Sequence, residues 1–66
     1  MIQLTKINHG QIIINSSLIE TIEETPDTVI TTTTGNKILV SESANEVIQK
    51  IIDYYRSIYG RPPEIL

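Results

Sequence analysis

Cysteine, tryptophan and phenylalanine are absent from this 66-residue chain, and histidine occurs once, at His9. Without cysteine there is neither a disulfide nor a thiolate metal site, and one histidine cannot form a metal-holding cluster. No cofactor is therefore expected. Glycine is scarce: Gly10, Gly35 and Gly60 stand apart, so no glycine-rich loop is available to cradle a phosphate. The only aromatics are three tyrosines near the end of the chain, which leaves no stacking platform for bases along its first half. No apolar run approaches the roughly 20 residues of a spanning helix, so no direct membrane insertion is expected. The stretch Met1 to Lys6 lacks the charged start, long apolar core and cleavage site of a secretion signal, which makes a cytoplasmic location the expectation. Positive charge is also short. Five Lys and Arg stand against eight Asp and Glu, a net charge of −3. That balance disfavours a general nucleic-acid binder or docking on anionic lipid.

Residues 1–60 read as one small domain and 61–66 as an extended tail. Chains of this size bury only about 60% of the surface exposed when unfolded, and often need a staple. With disulfides and metals excluded, a partner subunit remains, and a homo-oligomer is expected.

Residues 1 to 40 are rich in Ile, Val, Leu and Thr, types that suit a pleated surface. Ile2 to Ile7 and Gln11 to Asn15 read as strands around the turn Asn8-His9-Gly10, where Gly10 offers a positive φ. Ser16-Ser17 breaks the pattern, and a brief turn then a strand is expected over Leu18 to Thr25. Pro26-Asp27 marks a turn. Thr28 to Thr33 and Ile38 to Val40 are strands around Thr34-Gly35-Asn36. The fold class is α+β: a meander of about five antiparallel strands, rolled into a small barrel-like sheet, then one helix.

The helix begins at Ser43-Ala44-Asn45-Glu46, a capping box in which the serine hydroxyl and the glutamate each reach a free backbone N–H. Ala44, Val47, Ile48, Ile51, Ile52, Tyr55, Ile58 and Tyr59 then recur at helical spacing, which predicts a helix over Ala44 to Tyr59. Glu46 and Lys50 form a favourable i,i+4 pair. Gly60 and Pro62-Pro63 stop the helix. Tyr54 widens the apolar arc to roughly 160°, whereas packing on one sheet typically uses a stripe a little over 100° wide. Ile12-Ile13-Ile14 and Ile38-Leu39-Val40 also place apolar side chains on both strand faces. Two outcomes fit this surplus: a closed barrel that buries it, or an interface.

Candidate chemistry is sparse. His9 lies in a turn with no carboxylate patterned to orient it. Glu20, Glu23, Glu24 and Asp27 lack the alternation and central glycine of a calcium loop, and read as a solvated face that also protects a sheet edge. Thr31 to Thr34 is explained by β-propensity. No enzyme is expected. The tyrosine-rich helix end, Tyr54, Tyr55, Ile58 and Tyr59, is the candidate interaction surface, since tyrosine joins a large stiff contact area to one polar tip.

Several segments, taken in order, carry a resemblance. They are Leu4-Thr5-Lys6-Ile7-Asn8, Leu18-Ile19-Glu20-Thr21-Ile22-Glu23, Thr25-Pro26-Asp27-Thr28-Val29-Ile30, Gly35-Asn36-Lys37, Val40-Ser41-Glu42-Ser43 and Glu46-Val47-Ile48. In this set the chain resembles the FlbD/SwrD family of small bacterial flagellar proteins, up to about Tyr59. One departure is Asn8-His9-Gly10, where members often carry Asn-Gly. The resemblance implies a cytoplasmic accessory protein of flagellar and swarming motility that supports motor or stator performance without enzymatic activity. The alternative is a small nucleic-acid-binding regulator of flagellar gene expression, using Lys6, Lys37 and Arg61.

Overall fold

A computed structural model of the chain describes residues 1–59. Five antiparallel strands fall into two sheets. Strands β1 (Ile2–Thr5) and β2 (Gln11–Ile14) form a hairpin in which Ile2 faces Ile14 and Leu4 faces Ile12. Strands β3 (Ile19–Glu24), β4 (Thr28–Thr32) and β5 (Lys37–Val40) form the second sheet in that order. Helix α1 (Ala44–Tyr59) follows, with the bounds its capping box and periodicity predict. The expected stop at Gly60 and the tail Arg61 to Leu66 lie outside the described residues.

The expected barrel-like meander is corrected: the two sheets do not close. The meander is interrupted between β2 and β3 by a short 3-10 turn, Ser16–Leu18. Asn15 Oδ1 accepts the Ser17 N–H at 3.1 Å and the Ser17 hydroxyl at 2.8 Å, a local alternative that competes with strand pairing. The sheets meet instead at one bridge, Lys6 with Val40, supported by Ile7 N–H to Leu39 O at 3.2 Å and Ser41 N–H to Thr5 O at 2.8 Å.

The helix packs on β1 and β3, and so spans both sheets. The buried core has three sources: Ile2, Leu4 and Ile14 from the hairpin, Ile30 and Val40 from the second sheet, and Val47 from the helix. Ile30 and Val47 are 0% exposed, so each side of the fold contributes one fully enclosed side chain.

The first turn differs from expectation in one atom-level respect. The positive φ falls on His9, at 73°, and not on Gly10. His9 N–H donates to Lys6 O at 2.8 Å and Lys6 N–H to Gly10 O at 2.7 Å. This is a three-residue hairpin loop whose last residue must be left-handed. Asn8 Oδ1 accepts the Gly10 N–H at 3.1 Å and steadies the loop. His9 thus occupies the position where glycine stands in an Asn-Gly turn. The second turn follows expectation, with Gly35 at φ 89°.

Candidate functional site

The helix start is tied down by three side chains. Glu46 N–H donates to Ser43 Oγ at 3.1 Å and Ser43 N–H donates to Glu46 Oε1 at 3.0 Å, which is the predicted capping box. Ala44 N–H donates to Glu24 Oε1 at 2.7 Å. Glu24 was grouped with a solvated face, yet its carboxylate joins β3 to the positive end of the helix. The expected Glu46–Lys50 ion pair does not form among the described residues, because the Glu46 carboxylate turns back to the cap.

The sheets cover one side of the helix and leave its neighbour open. Val47 is buried, and Ile51 and Tyr54 pack against the core. These three recur at i, i+4 and i+7. One residue further round, Ile48 is 45% exposed, while Ile52 and Tyr55 are half-buried outside the core cluster. Ile48, Ile52, Tyr55 and Tyr59 follow one another at intervals of four, three and four residues, the spacing of a helix–helix seam.

The four sequence-predicted residues therefore separate. Tyr54 faces the core, and its ring meets that of Tyr55 edge-on, with centroids 6.0 Å apart and planes at 76°. Tyr55 is half-buried. Ile58 is 50% exposed, one turn beyond the last helix residue that packs against the core. Tyr59 ends the helix. Ile48 and Ile52 join this surface, although the sequence reading assigned them to the packed arc. Their signal was the width of the arc, which a single layer of sheet cannot cover.

Two open clefts of about 380 Å³ share Ile7 as a wall. One is lined by Lys6 and Lys37 around Ile12, Ile38 and Leu39. The other carries Glu24, Asp27 and Glu46. Lys6 and Lys37, which the nucleic-acid alternative invoked, thus come together, while Arg61 lies outside the described residues. Glu42 performs a structural task between them and the helix: both its carboxylate oxygens accept the Thr5 N–H, at 2.9 and 3.0 Å. Burial pushes its carboxyl up, but the bonds from Thr5 and from its own backbone, with the Lys50 charge, outweigh this and hold it below the usual carboxylate range.

The remaining candidates resolve into local structure. His9 is an exposed turn residue. Thr32 Oγ1 accepts the Asn36 N–H at 3.2 Å and lies 2.9 Å from Thr34 Oγ1, so two of the four threonines organise the second hairpin. Among the described residues no helix is long and apolar enough to cross a membrane, and no three His, Asp or Glu gather as metal ligands.

In comparisons with known proteins, no curated protein and no solved structure matches the chain. A family model does match, over residues 1–59, and its description is flagellar and swarming motility proteins. That match covers every strand, both hairpin turns and the whole helix, and the chain belongs to the FlbD family of flagellar and swarming motility proteins.

Proposed function

We propose that this protein is a non-catalytic, cytoplasmic accessory of flagellar motility that acts through protein–protein contact to support motor or stator performance, and that it does so as a homo-oligomer. The observation that carries this reading is the helix side left open by the sheets. It joins Ile48, Ile52 and Tyr55 at seam spacing to the exposed Ile58, in a family tied to motility. A small chain that leaves large apolar side chains uncovered along one helix has a surface suited to another protein. The alternative, a nucleic-acid-binding regulator, draws on the meeting of Lys6 and Lys37 at one cleft; the net charge of −3 weighs against it.

The test is motility in a host strain carrying Tyr55→Ala together with Ile58→Ala. Slower swimming is expected, with unchanged filament number and unchanged thermal midpoint of the purified protein. Normal swimming at full expression would remove the helix surface from function. Tyr54→Ala is the paired control. Its ring packs against the core, so it is expected to lower the midpoint as well as motility.

A further inference from the structure

The geometry points to a second interaction surface, separate from the helix side: the open edge of β5 is a docking groove for an extended acidic segment of a partner protein, which adds to the sheet as a strand. The second sheet has two outer edges, and they are built differently. The β3 edge carries exposed Glu20, Glu23 and Glu24 and a register irregularity between Ile19 and Thr21. Charges and bulges of that kind keep other strands off. The β5 edge has neither. It meets β1 only through the Lys6–Val40 bridge and the Ile7 N–H to Leu39 O bond.

Alternation of the ladder follows from that bond. Since Leu39 directs its main chain away from β4, Lys37 does the same two residues earlier. The N–H groups of Lys37 and Leu39 and the C=O of Lys37 thus face the cleft with no strand beside them, the main-chain template that strand addition uses.

The side chains around this edge select for one chemistry. Lys6 and Lys37 are the only charged groups lining the cleft, and neither has an ion-pair partner among the described residues. They are two of the five cations in a chain of net charge −3, so the local sign opposes that of the whole molecule. Ile12 and Ile38 are half-buried at its wall, and Ile7 and Leu39 are exposed beside them. A strand alternating carboxylates with aliphatic side chains matches both sets at once. A phosphate backbone matches only the lysines, since the cleft offers no aromatic face for a base.

Nuclear magnetic resonance on the full chain tests this with three probes: an octapeptide alternating Asp or Glu with Ile and Val, the same peptide with Lys for every carboxylate, and a short oligouridine RNA. The acidic peptide is expected to shift the amide resonances of Lys37 and Leu39. Its binding should weaken about tenfold in a K6Q/K37Q variant that keeps the wild-type fold. The proposal is overturned if the acidic peptide shifts only helix resonances or fails to bind at millimolar concentration. It is equally overturned if the basic peptide binds as well. RNA binding tighter than the peptide, with the same dependence on Lys6 and Lys37, would replace a protein partner with a nucleic acid.

Discussion

At the scale of single residues, two side chains make opposite contributions to stability. Thr31 Oγ1 is buried without a hydrogen-bond partner among the described residues. A buried hydroxyl left unpaired is costly, whereas a methyl of the same shape is not. Thr31→Val is therefore expected to raise stability by about 1 kcal/mol in urea denaturation; an unchanged or lower midpoint would mean that the hydroxyl is satisfied in solution. Glu42 acts the other way. Its folded carboxyl sits below the ordinary range, burial notwithstanding, because the bonds from Thr5 and the Lys50 charge favour the anion. A group of lowered pKa contributes fully above its unfolded value of about 4.3 and loses that contribution as pH falls through the folded value. Glu42→Gln is expected to cost about 1–2 kcal/mol at neutral pH. The gap between variant and wild type should then close in strongly acid solution, below pH about 4. Parallel pH profiles for the two proteins would contradict this account of Glu42.

The helix is the element whose two neighbouring stripes do different things. Ile51 packs against the core while Ile48 is largely open, although the two differ by less than one turn. Ile51→Asp places an unpaired charge against apolar side chains and is expected to cost several kcal/mol of stability. Ile48→Asp is expected to change monomer stability by about 0.5 kcal/mol or less. Equal thermal midpoints for the two variants would show that the helix is rotated from its described position. The cap shows how local rules compete. Glu46 is offered a partner one turn ahead, Lys50, and one turn behind, the Ser43 N–H, and one carboxylate oxygen goes to the N–H. A backbone donor at a helix start has no partner within the helix, whereas a surface ammonium is well hydrated, so the cap takes precedence.

At the scale of the whole molecule, the two sheets stay open and one helix spans them, leaving Ile13 68% exposed on the hairpin's far face as well as the helix stripe. This incomplete closure is the physical ground for expecting self-association. Light scattering on a sizing column is expected to report a dimer or larger species at micromolar concentration, and Ile48→Asp to shift it towards the monomer. A monodisperse species of 7.4 kDa for the wild type would defeat the expectation. A mass unchanged by Ile48→Asp would move the contact from the helix to the sheets.

Much of the architecture was legible along the chain because its signals are local. The capping box and apolar period placed the helix at Ala44 to Tyr59, and turn residues placed β4, β5 and the loop between them. The family, too, was legible in ordered short segments. What remained hidden depends on groups brought together from distant positions. Whether the strands close into a barrel turned on a backbone contact between Lys6 and Val40 and on a 3-10 turn at Ser16–Leu18, neither of which has a periodic signature. The left-handed residue of the first turn was assigned to glycine by propensity, but hydrogen-bond register put it on His9. Tyr54 and Tyr55 are adjacent in a helix whose apolar arc is wider than its cover, and periodicity ranks both as apolar. Which of them faces the core follows from how the sheets sit beneath the helix, and that placement depends on Val47 filling the space between Leu4, Ile30 and Val40.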